Sequence, residues 1–231
     1  MVRWKKDILL LCGIFYTICI VQMWNLEETD QDVKKPAIEV SGTEEAEKPK
    51  IAITFDDGPH PRFTPRLLDG LKERGVKASF FVIGNLAEKY PELIAREKEE
   101  GHLIGNHTYA HIDIGKLPEE KGREEILRTS AVIKEITGNE VEFVRPPFGS
   151  WQKKLEQEME MIPVLWSVDP LDWTTKNPDE IVNKVVTKVK ENDIILLHDC
   201  YQSSVDAALR IIDILQKEGY EFVTVDDMIL D

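Results

Sequence analysis

The sequence predicts an α/β fold, a parallel sheet covered by helices and either open or closed into a barrel. Three observations carry that expectation. Short apolar runs such as ASFFVI at 78–83 and IILL at 194–197 are nearly continuous, as strands buried on both faces are. Helical stretches separate these runs, and several end at a glycine. The unusual polar residues follow the apolar runs directly, where both open parallel sheets and barrels carry their functional groups.

The elements follow in order. Residues 50–55 form the first strand, which runs into TFDDGPH at 54–60, so that Asp56 and Asp57 stand side by side where Gly58-Pro59 stops it. A helix at 64–74 ends at Gly75, and 78–83 is the second strand. A helix at 91–100 ends at Gly101 before the short run HLI at 102–104. The long helix 119–137 ends at Gly138 and leads to a fourth run at 141–144. Strands at 162–168 (IPVLWSV), 194–197 and 222–223 complete the sheet, with helices at 178–190 and 203–218 between them.

Upstream, Arg3, Lys5 and Lys6 precede an uncharged apolar run at 8–24, ILLLCGIFYTICIVQMW, just long enough to cross a bilayer. Residues 1–24 therefore read as a cytoplasmic tip and a single N-terminal transmembrane helix, an anchor or export signal. No A-x-A type of cleavage site follows, which favours an uncleaved anchor. Basic residues before the span keep the N-terminus inside and send the rest out. The expected location is the bacterial cell membrane, single-pass, with the domain extracytoplasmic. Residues 25–49 are charged, mostly acidic and without aromatics, the composition of a disordered spacer. Residues 50–231 form one domain.

Acidic residues outnumber basic ones, 43 to 29, for a formal net charge of −14. Such a chain repels phosphates, so nucleic acid is excluded as a partner. Cys12 and Cys19 lie in the span, which leaves Cys200 alone in the domain with no partner for a disulfide. A monomer held by its own core or by a metal is expected.

The rim of strand ends collects Asp56, Asp57, His107, Arg145, Asp169, Asp172, His198 and Asp199. In GNHTYAH the imidazoles of His107 and His111 are four residues apart, and one helical turn would bring them together as a pair of metal ligands. Two histidines and one carboxylate leave open positions for water, as catalytic zinc sites do. Adjacent carboxylates resist joint ionisation; if one binds the metal, its neighbour is free to act as a base. The alternative for the pair is an Asp-Asp-Gly-Pro turn with one Asp capping the next helix. Arg145, in RPPFG, could grip a carboxylate bidentately or form a structural ion pair. Trp173, in DPLDW, could stack on a sugar or fill core. His198, in LLHD, sits where a proton donor is useful, and Asp172 nearby would raise its pKa. His60, His102, Asn106, Asp169 and Asp199 read as turn, cap or supporting residues, and Cys200 as a small buried hydrophobe.

TFDDGP, HTYAH, RPPFG, DPLDW and LLHD occur in this order over residues 50–230, a pattern that resembles the five motifs of the polysaccharide deacetylases, carbohydrate esterase family four with its NodB-homology domain. The resemblance implies a distorted (β/α) barrel and metal-dependent removal of N-acetyl, sometimes O-acetyl, groups from a sugar polymer. It implies that Asp57, His107 and His111 hold a divalent metal, usually zinc, with cobalt, nickel or manganese as alternatives. Asp56 would be the base, His198 the acid tuned by Asp172, and Arg145 the residue that orients Asp56. Trp173 and Leu196 would line a pocket for the acetyl methyl, and the Pro147-Phe148 segment would face the substrate with a backbone amide near Phe148 on the oxyanion. Phe148 stands where many members carry Tyr; a backbone role survives that change.

The expected function is removal of N-acetyl groups from a cell-envelope polysaccharide, above all peptidoglycan amino sugars, which a tethered domain reaches first. The alternatives are the same chemistry on chitin-like oligosaccharides or acetylated xylan, and an inactive glycan-binding relative. The retained Asp pair, His pair and His198 argue against the last.

Overall fold

The computed structural model describes residues 47–152, 154–155 and 159–230. The predicted membrane span and all but the last residues of the predicted spacer lie outside them. Among the described residues no helix is long and apolar enough to cross a membrane.

Within these residues seven strands form one parallel sheet: β1 (Lys50–Gly58), β2 (Ser79–Val82), β3 (Leu103–Asn106), β4 (Phe143–Val144), β5 (Ile162–Pro163), β6 (Ile194–His198) and β7 (Glu221–Val223). Their order is β5-β4-β3-β2-β1-β6, and β7 pairs with the start of β1. The helices placed among the described residues are α1 (Thr64–Glu73), α2 (Gly84–Lys89), α3 (Pro91–Glu99), α4 (Glu119–Thr137), α5 (Pro178–Val186), α6 (Gln202–Lys217) and α7 (Val225–Leu230). Helix α4 has the predicted bounds, ending at Gly138 in the left-handed conformation (φ 75°) that glycine adopts without strain.

The predicted strand 162–168 is instead a strap. Its start bonds β4, with Val164 N–H donating to Val144 C=O at 2.8 Å, and its end bonds β6, with Leu196 N–H donating to Val168 C=O at 2.9 Å. Between them the segment leaves the ladder to cross from one side of the curled sheet to the other. The architecture is thus a curled parallel sheet whose two ends meet through this one segment, between the open sheet and the barrel left open above.

Strand periodicity sorts β1 into two faces. Ile51, Ile53 and Phe55 point outward into the main core with Leu67, Leu68 and Leu71 of α1, Ile181 and Val185 of α5, and Ile211, Ile212 and Leu215 of α6. Each such buried side chain contributes about 1.5–3 kcal/mol relative to exposure. Ala52 points inward, in a second cluster with Phe81, Phe143, Val164 and Val225. Thr54 and Asp56 continue that inward face by parity, so the strand delivers a carboxylate to the interior at its carboxyl end. Because every strand is parallel, Asp56, Asn106, Val144 and His198 all end on one rim.

Candidate metal centre and active site

A regular strand would turn Asp56 and Asp57 to opposite faces. Here the β1–β2 register slips between Asp56 and Gly58, and Asp57 adopts φ 68°, so the extra residue of a bulge swings its carboxylate toward the same cleft. The rim motif TFDDG therefore works through backbone conformation as well as composition.

His107 follows β3 and is buried. Its Nδ1 lies 2.6 Å from the carbonyl oxygen of Arg145; a carbonyl only accepts, so Nδ1 carries a proton and Nε2 is the nitrogen turned toward Asp57. That Nε2 is 3.4 Å from Asp57 Oδ1, and His111 Nε2 is 3.2 Å from the same oxygen. The expected helical turn between the two histidines is absent. Thr108 (φ 63°) and His111 (φ 52°) take left-handed conformations instead, and these fold the loop so that the rings stand 5.1 Å apart.

Asp57 Oδ1 is buried and has no hydrogen-bond partner, a costly state for a carboxylate oxygen. One ligand atom from each of Asp57, His107 and His111 lies within 4.8 Å of the others. Two imidazole nitrogens and a carboxylate oxygen that converge this closely form the donor set that borderline-soft divalent ions accept. The residues present fit a divalent metal. Burial raises the Asp57 pKa, but the imidazoles of His107, His111 and His198 more than offset that and hold the carboxyl below its usual range. Burial also lowers the pKa of His111, which favours the neutral form that can ligate.

Asp56 is buried behind this triad. Arg145 Nη1 donates to its Oδ1 at 2.8 Å and to Thr54 Oγ1 at 2.6 Å. Nε and Nη2 donate to the carbonyls of Val164 and Leu165, both at 3.2 Å. The guanidinium has no exposed surface and lies 4.1 Å over the Phe81 ring. It therefore grips Asp56 through one nitrogen, where a bidentate clasp was one expectation, because its other donors tie the strap to the inner face. The second Asp56 oxygen, Oδ2, is 3.8 Å from His107 Nε2.

His198 closes the opposite side. Its Nδ1 meets Asp172 Oδ1, and its Nε2 lies 3.9 Å from Asp57 Oδ2. Burial lowers the imidazole pKa, but the hydrogen bond and charge of Asp172, then the charges of Asp56 and Asp57, outweigh it and raise the value to about 9. Asp172 itself is fully buried in a 3-10 turn at Asp172–Thr174.

These groups open onto a cleft of about 400 Å³ lined by Asp56, Asp57, His107, His111, Phe148, Trp173, Leu196 and His198, together with Pro146, Trp166, Asp169, Leu171 and Tyr201. Of the two prolines, both buried, Pro146 lines it and Pro147, in the turn with left-handed Phe148 (φ 61°), does not. Phe148 is 69% exposed, with its ring edge-on to His111 at 5.1 Å. Tyr201, which sequence reasoning passed over, has its ring 6.3 Å from that of His198. Its signal was an aromatic three residues beyond a strand-end histidine.

The remaining polar residues are spent locally. His60 Nδ1 accepts the N–H groups of Arg62 and Phe63, and His102 Nδ1 accepts that of Ala78. Asn106, fully buried, donates to Ile126 C=O and Ser130 Oγ. Asp169 accepts the N–H of Leu171. Cys200 is a free thiol whose pKa burial pushes up, so it is a poor nucleophile.

A family model for polysaccharide deacetylases matches residues 43–164. A peptidoglycan-N-acetylglucosamine deacetylase of Bacillus cereus is 41% identical over 188 residues, covering 78% of this chain and 68% of that protein. The peptidoglycan-N-acetylmuramic acid deacetylase PdaC of Bacillus subtilis is 40% identical over 178 residues, covering 77% of this chain and 38% of its own length. The solved structure of PdaC superposes with a TM-score of 0.77 at 39% identity, over 78% of this chain and 90% of that one. With a family model matching more than half of it, a relative 41% identical along most of both chains and a fold that superposes on a solved deacetylase, the chain belongs to the polysaccharide deacetylase family.

Proposed function

We propose that the chain hydrolyses N-acetyl groups from the amino sugars of peptidoglycan, using a divalent metal, with zinc the ion its ligand set suits best. The observation that carries this reading is the orphaned, buried Asp57 Oδ1 between two imidazole nitrogens, flanked by Asp56 on one side and His198 on the other. The names of the relatives support the polymer. A bound ion supplies the Lewis acidity that makes water nucleophilic at neutral pH and draws charge from an amide oxygen.

The protein's own groups do the rest. Asp56, fixed by Arg145 through the 2.8 Å bond to its Oδ1, takes the proton from the attacking water. The Phe148 backbone amide donates to the developing oxyanion. His198, held protonated by Asp172, gives its proton from Nε2 to the departing amine, which is a poor leaving group without it. Leu196 and Trp173 flank the methyl of the acetyl group, and Phe148 and Tyr201 flank the sugar. The basic and apolar run at 1–24 and the acidic spacer at 25–49 support an anchored domain facing the wall from outside the membrane.

The test is mass spectrometry of peptidoglycan fragments incubated with the purified chain. Loss of one acetyl mass per amino sugar, abolished by chelator and by Asp56→Asn, is expected. Glycan binding without acetyl loss would instead mark a non-catalytic binder.

A further inference from the structure

Asp199 follows His198 at the end of β6, yet its side chain meets the loop that carries Asp57. It has no exposed surface. The carboxylate lies so close beneath Gly58 that a Cβ built there would stand 2.5 Å from Oδ1 and 2.8 Å from Cγ. The Thr64 hydroxyl donates to Asp199 Oδ2, and the same hydroxyl oxygen accepts the N–H of His60 at 2.8 Å. The Asp199 N–H points back to the carbonyl of Asp56 at 3.4 Å. One residue thus holds the loop on both sides of Asp57, at Asp56 and Gly58 before Pro59 and at Thr64 after it. Its Oδ1 is buried without a partner. A core assembled for stability alone would be served better by an apolar side chain of that size.

We propose that Asp199 is a positioning residue for the metal centre: pressed beneath Gly58 and bonded to Thr64, it fixes the left-handed turn at Asp57 and so aims Oδ1 at His107 and His111. The inference rests on the metal reading of that triad. It makes the end of β6 set two things at once, the proton donor through His198 and the metal ligand through Asp199. Groups that orient ligands from behind are worth about 10–100-fold in metal affinity.

The test is the zinc affinity of the full-length chain, measured by competition with a chromophoric chelator, with thermal melts of the metal-free proteins alongside. Asp199→Ala should weaken zinc binding about 10–100-fold, and Thr64→Val should weaken it in the same direction. Asp199→Asn keeps an acceptor for Thr64 and the volume beneath Gly58, so it should restore affinity to within about threefold of the natural chain. Unchanged zinc affinity in folded Asp199→Ala overturns the proposal. If that variant does not fold, Thr64→Val decides, and wild-type affinity there overturns it equally. A natural chain that binds no zinc defeats the metal reading itself, an outcome distinct from a natural chain that binds zinc and is indifferent to Asp199.

Discussion

His198 and Asp172 are joined twice: Nδ1 of the imidazole lies 2.7 Å from Oδ1 of the carboxylate, and the backbone N–H of His198 donates to Oδ2 at 2.9 Å. The second bond holds the carboxylate against the strand end, so the first can fix both the ring's orientation and its tautomer. Nε2 is left facing the cleft.

This pair predicts the alkaline limb of the pH profile. An acid works while protonated, so activity of the natural enzyme should fall as pH rises through about 9. Asp172→Asn removes the charge that raises the pKa, and the limb should move toward neutral by about one to two pH units. The stability sign is the same: His198 has a folded pKa above its ordinary 6.5, so the pair stabilises fully below that value and its contribution disappears as pH rises through the folded one. A kcat/KM profile of the variant that overlays the natural one would remove Asp172 from the proton transfer.

The two aspartates should separate cleanly. Asp56→Asn leaves Asp57, His107 and His111 in place, so zinc affinity should stay within a few-fold while kcat drops about 10²–10⁴-fold for want of the base. Asp57→Asn keeps the base but weakens a ligand that bridges both imidazoles, and zinc should be lost at concentrations that saturate the natural chain. Chelator competition and steady-state kinetics on the same preparations check both. Equal zinc loss in the two variants would mean that the carboxylates share the ion.

How far the sequence foresaw this site depends on whether its cause was local. Helix α4 was legible to the residue because Pro118 before it and Gly138 after it set its ends through their own backbone preferences. The Asp pair, the His pair and His198 were legible as rim residues because parallel strands all end on one side. The conformations that bring them together were less so. Asp57, Thr108, His111 and Phe148 all take positive φ without being glycine, a strain imposed by tertiary contacts that carries no mark in composition. Helices α2 and α7 were missed because six residues give too few turns for periodicity to register. The strap at 162–168 read as a strand since its apolar run is real; that it serves two strands in turn is a long-range fact.

Arg145 should be a stability residue as much as a functional one. It is wholly buried with Asp56, and removing one member of a buried ion pair leaves an uncompensated charge costing about 3–5 kcal/mol. Arg145→Met is expected to lower the unfolding free energy, read from urea titrations, by that amount, and adding Asp56→Asn should recover most of it, a coupling that a double-mutant cycle reads directly. Simple additivity of the two changes would show that the strap contacts to Val164 and Leu165, rather than the ion pair, carry the effect.

The aromatic rim should act on substrate affinity. Trp173 is 58% and Tyr201 42% exposed, large apolar surfaces that water covers poorly and a sugar face covers well. Neither ring supplies a proton or a metal ligand, so Trp173→Ala and Tyr201→Ala should raise KM on polymeric substrate about 2- to 10-fold, matching a stacking contribution of about 0.5–1.5 kcal/mol each. Turnover at saturation should change little, since binding energy lost equally from ground and transition states leaves kcat alone. Trp173 directly follows Asp172, and the Tyr201 ring stands against His198, so the opposite split is informative. A fall in kcat at constant KM would make the two rings supports for the imidazole, leaving the sugar to be held by Phe148 and the far wall of the cleft.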